Sequence, residues 1–299
     1  MSLTDTERLL RELMLRSVFR TIAGESLARM TELLVPRAVG AGETLFTRGE
    51  QPDRFWFVVE GKLRMERPGA APWVFGSRSI VGSLDAFRDR PYARSCVSLV
   101  DGRLLELRRD DWLDLLEDDA LVARQSINSI AARVHEKSLH TPLQPARELE
   151  RPAVATPRPF STYQRILILR QAGFLASAGM QAIASLTALT SEHELGLGQR
   201  AADAGLNLER LYVIVTGRVE LEGMSVRERG PGDLLGGPGA LHDPVLAAEA
   251  RAVVPTVLLG VEQQDYYDLA EEHPRLSTGA LSYLANELEA LLELDPPNE

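Results

Sequence analysis

The sequence has few of the residues that form disulfides or bind metal ions. Cys96 is its only cysteine among 299 residues, so no disulfide can form within the chain and no paired thiolates can hold zinc. The five histidines are scattered and show no HExxH frame or comparable metal-ligand spacing. We therefore predict neither a disulfide framework nor a metal site.

Positive charge and long apolar runs are also scarce. The chain has 33 Lys and Arg against 43 Asp and Glu, a formal net charge of -10, and it shows no basic cluster that could neutralise a row of phosphates. No apolar run reaches membrane-spanning length, and the acidic, amphipathic start MSLTDTERLLRELML is unlike a signal peptide. We predict a cytoplasmic protein with no membrane span and no direct binding to nucleic acid.

Length and proline content predict two domains. Hydrophobic residues make up 44% and charged residues 25% of the chain, as in ordinary globular proteins, and the length exceeds that of a usual single domain. Five of the 17 prolines lie between Thr141 and Ser161. Because proline lacks an amide donor and discourages both helix and sheet, we predict domains at 1–140 and 162–299, joined by a linker at 141–161.

The two predicted domains repeat one pattern. RFWFVVEGKLRM (54–65) aligns with RLYVIVTGRVEL (210–221), and LLELRRDDWLDLLED (104–118) aligns at nearly the same offset with LLGVEQQDYYDLAEE (258–272). The alignment superposes Gly61 on Gly217. Each copy contains strand-length β-branched and aromatic runs between turn residues, followed by a helical run. We predict two copies of a small antiparallel barrel, with Asp110 or Asp111, and Asp265, capping the helices that follow.

The segment GETLFTRGEQPDRFWFVVEGKLRM (42–65) resembles the cyclic-nucleotide-binding domain family, with its Gly-Glu-x-Leu-Phe start and its strand ending in Glu-Gly. The resemblance covers nearly the whole chain. It implies a mainly β fold with flanking α: two tandem double-stranded β-helix (jelly-roll-like) barrels, each with N- and C-terminal helices. In this family a phosphate-binding cassette supplies backbone amides and an arginine to a cyclic phosphate, and a glutamate to the ribose hydroxyl.

The first copy keeps part of that cassette in VGSLDAFRDRPYARS (81–95). A serine stands where the family has its glutamate, and a tyrosine stands at the arginine position. An arginine follows two residues later, and a shift of two along a strand keeps the same face. The resemblance implies a cyclic nucleotide as a candidate ligand, with no other cofactor, and the candidate ligand-binding residues are Gly82, Ser83, Leu84, Tyr92, Arg94 and Ser95.

The second copy, LGGPGALHDPVLAAEARA (235–252), departs further from the family. Glycine replaces the acid and leucine falls at the arginine position. Arg251 lies five positions on, on the opposite face by simple alternation, so nothing charged is left to hold a phosphate. The corresponding candidates are Gly236, Gly237 and Leu246. We predict that this copy is free of ligand or binds something less anionic.

Two helical stripes of apolar residues follow the barrels, and they have two interpretations. In the family the helix after the barrel carries dimer contacts, which would make the stripes a surface for a protein partner or a homo-oligomer. Alternatively, each stripe covers its own barrel. The residues concerned are Ile127, Ile130 and Val134 in the first copy and Leu284 and Leu288 in the second.

Neither catalysis nor a DNA-binding domain is indicated. Ser191, His193 and Glu194 are sequence neighbours without a nucleophile-elbow motif, so we predict no catalytic residues and no enzyme. The family's transcription factors carry a helix-turn-helix domain after the barrel. Here only DPPNE (295–299) follows the last helical run, so we expect no such domain. We expect a regulatory signalling protein whose first barrel senses a small ligand, a cyclic nucleotide among the candidates. The alternative is a degenerate pseudo-sensor that acts as a docking or assembly scaffold.

Overall fold

The computed structural model describes residues 24–141, 158–223 and 228–298, together with residues 8, 11, 12 and 15. These divide into two compact units, Met1–Ser129 with Glu289–Glu299, and Ile130–Leu288. The predicted domain bounds at 1–140 and 162–299 stay a prediction, because these units are defined by contacts within the fold and not by the prolines of the sequence. Most of the predicted linker at 141–161 lies outside the described residues.

The first unit contains two antiparallel sheets, with strand orders β1-β8-β3-β6 and β2-β7-β4-β5. We call these strands the first barrel. Helices flank them on both sides in the chain, as the fold prediction requires. The elements are α1 (Gly24–Leu33), β1 (Val35–Val39), β2 (Thr44–Phe46), β3 (Arg54–Glu60), β4 (Leu63–Glu66), β5 (Trp73–Phe75), β6 (Ile80–Val81), α2 (Ser83–Arg88), β7 (Ser95–Ser98), β8 (Gly102–Arg108), α3 (Arg109–Asp118) and α4 (Ala120–His140).

The second unit has one antiparallel sheet among its described residues, with strand order β11-β10-β12-β9. We call these strands the second barrel. Short 3-10 turns lie at Gly173–Leu175, Pro238–Leu241 and Pro244–Glu249. The elements are α5 (Thr162–Leu169), α6 (Met180–Ala188), β9 (Ser191–Leu195), β10 (Arg210–Leu221), β11 (Glu228–Arg229), β12 (Ala250–Glu262), α7 (Gln263–Glu272) and α8 (Arg275–Leu294).

The repeated glycines Gly61 and Gly217 mark the same close approach of two strands. Their φ angles are 121° and 92°, in the region that favours glycine. A Cβ at Gly61 would lie 3.1 Å from the Cα of Gly102, and one at Gly217 would lie 2.6 Å from the carbonyl oxygen of Pro255. The repeat in the sequence therefore reflects a repeated backbone contact.

Each unit buries its own core. In the first, Phe55 meets Phe87 and Trp112 edge-on, with ring centres 5.8 and 5.9 Å apart. In the second, a largely aliphatic cluster around Ile214 and Leu258 is fully buried. Burial of each such side chain contributes about 1.5–3 kcal/mol. The antiparallel sheets, flanking helices and separate cores confirm the predicted fold class.

Within the described segments, no helix is both long enough and apolar enough to span a membrane.

Candidate functional site

Arg94 is the buried cation of the first barrel. It immediately precedes β7, and only 1% of its surface is exposed. Its guanidinium carbon lies 4.0 Å from the centre of the Trp73 ring, and its Nη1 donates to the carbonyl of Ala71 at 2.8 Å. Its Nη2 lies 2.9 Å from both carboxylate oxygens of Glu293. A desolvated guanidinium needs such a counter-charge, because burying an unpaired charge costs several kcal/mol.

The counter-charges come from the last turns of α8, which belong to the first unit. Glu289 and Glu293 are four residues apart, so their side chains lie on one face of the helix. Glu289 accepts one hydrogen bond from Arg88 and one from Arg90, each at 2.5 Å. Burial would raise the pKa of Glu289, but hydrogen bonds and charge from these two arginines outweigh it and hold that pKa below its ordinary value.

Asp85 links the same arginines to the cassette loop. Its side chain is buried, and it accepts from Arg88 Nη2 at 3.1 Å and from Arg90 Nε at 2.9 Å. The backbone N–H of Ala93, the residue before Arg94, donates to its other oxygen at 3.2 Å. One carboxylate therefore fixes both the arginine pair and the backbone that carries Arg94.

A cavity of about 20 Å³ separates the cassette start from Arg94. Gly82, Ser83 and Leu84 line it from one side, and Arg94 and Glu289 also contribute to its wall. This volume holds about one water molecule. With Glu289 in its wall, the cavity as it stands has no room for a nucleotide.

The structure brings four of the predicted first-copy residues together and leaves two aside. Gly82, Ser83, Leu84 and Arg94 line one cavity. Tyr92 instead joins the core: its ring stacks on Phe46 with centres 3.9 Å apart, and its hydroxyl donates to the carbonyl of Arg54 at 2.8 Å.

Ser95 also makes a contact outside the cavity wall. Its hydroxyl accepts from the backbone N–H of Arg48 at 2.9 Å. Burial raises the pKa of the Tyr92 phenol, in keeping with a core position. Neither Tyr92 nor Ser95 therefore faces the cavity.

Sequence reasoning missed several residues that build this site. Of these residues, Arg88 and Arg90 could have been predicted, because they lie within the cassette segment itself. Trp73 reads as a core aromatic, and it is buried, but it also supports the guanidinium. Glu289 and Glu293 form an acidic pair one helical turn apart, yet nothing near them in the sequence indicates their distant arginine partners.

The second cassette holds a cation that its own segment does not supply. Arg229 of β11 lies beside Gly237, where an added Cβ would be 3.4 Å from its Nε. Its Nη1 lies 3.5 Å from a carboxylate oxygen of Glu287. Leu246, at the arginine position, is buried, and Gly236 packs closely against the backbone of Ala247. An arginine from a neighbouring strand thus lies at this cassette, and the prediction that the copy is free of ligand or binds something less anionic stays a prediction.

The residues of the apolar stripes are buried or partly buried. Ile127, Val134, Leu284 and Leu288 are all buried, and Ile130 is partly buried. Apolar side chains that are already withdrawn from water offer a partner no further hydrophobic gain. These residues therefore present no open docking face in the described chain.

The serine and histidine of β9 do meet, but not as a triad. The Ser191 hydroxyl lies 2.7 Å from His193 Nε2. Burial lowers the pKa of His193, and the charge of Arg210 lowers it further. Glu194 is exposed, points to the other face of the strand and pairs with Arg158, so it does not orient the imidazole.

The family model for the cyclic nucleotide-binding domain matches residues 36–119 and 194–273, more than half of the chain. The chain belongs to the cyclic nucleotide-binding domain family. Both copies of the predicted repeat are matched, which confirms the predicted family and its tandem arrangement. The matched ranges contain both cassettes, and they end before the last turns of α8.

Among curated proteins, the chain is similar to the CRP-like cAMP-activated global transcriptional regulator of two strains of Mycobacterium tuberculosis. Identity is 24% over 124 residues, which cover 39% of this chain and 54% of the relative. The chain therefore spans about half the length of these relatives.

Solved structures with a similar fold include regulatory proteins of two parasites. The regulatory domain of Toxoplasma gondii PKA with cAMP is 15% identical, with 90% of this chain and 94% of that chain covered and a TM-score of 0.37. The regulatory subunit of a cAMP-independent protein kinase A from Trypanosoma brucei is 16% identical, with 99% and 92% covered and a TM-score of 0.38. Such identities concern the fold alone.

Proposed function

We propose that this protein is a non-catalytic regulatory protein whose first barrel senses a small anionic ligand, with a cyclic nucleotide as the first candidate. The observation that supports this is Arg94, a guanidinium buried beside the cassette start Gly82–Leu84. Buried arginine is the side chain best suited to a phosphate, because its planar donors match the phosphate oxygens. Family membership and the cAMP-activated relatives supply the ligand class.

The roles of the individual residues follow from their chemistry. Arg94 neutralises the phosphate, and the Trp73 ring holds the guanidinium in place. Gly82 has a φ of 86°, and a Cβ there would lie 3.3 Å from the Trp56 ring, so only glycine suits this turn. Ser83 offers a neutral hydroxyl where the family has a carboxylate, and we expect a weaker hold on the ribose.

Isothermal titration with cyclic AMP, cyclic GMP and cyclic di-GMP tests this proposal. We expect binding by the wild type and a loss of at least roughly tenfold in affinity for Arg94→Gln, since charge-assisted hydrogen bonds are removed. Arg103→Gln is the matched control, because the Arg103 side chain is 65% exposed and pairs only at the surface. Circular dichroism verifies that each protein is folded.

The outcome that overturns sensing is the absence of binding in two folded proteins. If the wild type and the Glu289→Gln/Glu293→Gln variant both give no heat with all three nucleotides at millimolar concentration, the first barrel is not a nucleotide sensor. The variant is included because those two carboxylates hold the arginines of the site.

The second candidate function is a pseudo-sensor that keeps the barrel as a docking or assembly scaffold. The cavity of about 20 Å³ supports it, since such a volume admits no nucleotide. A scaffold would associate with a protein partner or a second copy regardless of nucleotide. Light scattering after size exclusion separates the two candidates: association that is unchanged by nucleotide and by Arg94→Gln favours the scaffold.

A further inference from the structure

Two carboxylates of this chain occupy the donors that an anionic ligand would use. Glu293 accepts from Arg94, and Glu289 accepts from Arg88 and Arg90. A carboxylate and a phosphate compete for the same guanidinium N–H groups, because each can accept two parallel charge-assisted hydrogen bonds from one arginine. The two glutamates, about one helical turn apart, therefore bind the arginines as an external anion with two charged groups would.

One of these carboxylates also limits the space for a ligand. Glu289 forms part of the wall of the cavity of about 20 Å³ next to Gly82 and Arg94. While Glu289 and Glu293 remain, a cyclic phosphate lacks room beside Arg94, and both Nη atoms already donate to Ala71 and Glu293, whereas the buried Nε has no partner among the described residues. Entry of a ligand requires that this turn of α8 moves away.

The residues after α8 join the same unit through the backbone. The N–H of Val74 donates to the carbonyl of Pro297 at 2.8 Å, and Asn298 pairs with Val74 as a parallel bridge. Val74 is the neighbour of Trp73, which stacks on Arg94. We call residues 289–298 the tail. Its glutamates contact the cations, and its end pairs with the strand that carries the stacking tryptophan.

The contacts of the tail are accessible enough to exchange. The side chains of Glu289 and Glu293 are 17% and 27% exposed, and that of Arg90 is 37% exposed. Water and ions can therefore reach one side of the ion pairs, which weakens them relative to fully buried pairs. Arg94 and Arg88 are the deeply buried members, with side chains 1% and 3% exposed.

We propose that the tail is an internal ligand of the first barrel, which holds the cation site until an external anion displaces it. This rests on the proposed function and adds its regulation: ligand binding releases the tail, and the free tail reports occupancy. The apparent affinity for a ligand then equals the intrinsic affinity multiplied by the fraction of molecules with the tail detached.

Removing the charges of the tail tests the proposal. Glu289→Gln/Glu293→Gln should bind the nucleotide recognised by the wild type with roughly tenfold or higher affinity, because a neutral amide holds arginine less well than a carboxylate. The control is Glu271→Gln/Glu272→Gln, which removes the same charge from exposed positions on α7 and should leave the affinity unchanged.

Hydrogen–deuterium exchange separates this role from a merely structural one. If the glutamates only stabilised the fold, nucleotide would not change the exchange rate of the tail. We expect saturating nucleotide to accelerate exchange in the tail of the wild type and at Val74. The Glu271→Gln/Glu272→Gln variant should respond like the wild type. In the double tail variant, exchange of the tail should already be fast without nucleotide.

Different results overturn the two proposals. Equal affinities for wild type and tail variant, with tail exchange unaffected by nucleotide, overturn the internal ligand while the barrel remains a sensor. No binding by either protein overturns both. If the double variant does not fold, Glu293→Asp replaces it: its carboxylate is one methylene shorter, and an affinity equal to that of the wild type counts against the proposal.

Discussion

The guanidinium of Arg94 stacks on the indole of Trp73, with 4.0 Å between the guanidinium carbon and the ring centre. Both groups are buried, so this attraction is little screened by water. The ring also restricts the guanidinium to the plane in which its Nη atoms meet Ala71 and Glu293. Stacking therefore positions the cation as well as stabilising it.

Replacing the ring should weaken anion binding without removing the cation. We expect Trp73→Leu to lose about 1–2 kcal/mol of binding free energy, roughly tenfold in affinity, because a desolvated cation–π contact is lost. Trp73→Phe keeps a ring face and should fall between Leu and the wild type. Titration calorimetry with the nucleotide that the wild type binds measures the order of the three affinities. Equal affinities for the Leu and Phe variants would show that the stacking has no role in binding.

Asp85 should be a stability determinant of the first unit. Asp85→Asn removes the charge that Arg88 and Arg90 share, and we expect a loss of about 3 kcal/mol in the free energy of unfolding, as when one partner of a buried ion pair is removed. Asp114→Asn, at an exposed position on α3, is the control and should change stability little. Urea denaturation followed by tryptophan fluorescence measures both. Similar losses for the two variants would contradict this role.

Acid should detach the tail. The pKa of Glu289 is held below its ordinary value of 4.5, so its ion pairs add stability above pH 4.5, and this contribution disappears as the pH falls through the lowered pKa. Glu289→Gln lacks the contribution at every pH. We therefore expect the urea midpoint of the wild type to exceed that of the variant at pH 7, and the difference to shrink as the pH falls below 4.5 and through the lowered pKa. A difference that stays constant as the pH falls below 4.5 would assign the effect of the substitution to packing.

Local sequence patterns were sufficient to predict the fold. Glycines, strand-length apolar runs and helical runs recur at one offset, and each reports a local constraint that both copies must satisfy. The predicted helix caps were wrong for an instructive reason. Asp110 and Asp111 lie in the first turn of α3, after the N-cap residue Arg108. Acids in a first turn favour the helix through its dipole, so their presence marks a helix start without identifying the cap.

The candidate site was only half accessible from the sequence. Gly82–Leu84 and Arg94 follow from the resemblance of residues 81–95 to the family's cassette, and the structure places them on one cavity. Glu289 and Glu293 enter through tertiary packing from the far end of the chain. Their acidic pattern is equally typical of a solvated helix face, so only the folded unit reveals which cations they meet.

The repeat glycine Gly217 should tolerate substitution far less than Gly205, although both have positive φ angles of 92° and 66°. An alanine at either position costs about 1–2 kcal/mol for the left-handed backbone. At Gly205 the added Cβ meets nothing within 4 Å, whereas at Gly217 it would lie 2.4 Å from the Thr256 hydroxyl and 2.6 Å from the Pro255 carbonyl.

Because those neighbours belong to the paired strand β12, they cannot withdraw without breaking the sheet, and we expect Gly217→Ala to lose at least about 3 kcal/mol in total. Thermal unfolding followed by circular dichroism compares the two variants with the wild type. A Gly217→Ala protein as stable as Gly205→Ala would mean that β10 and β12 can separate at this point, and that the repeated glycine records only a turn preference.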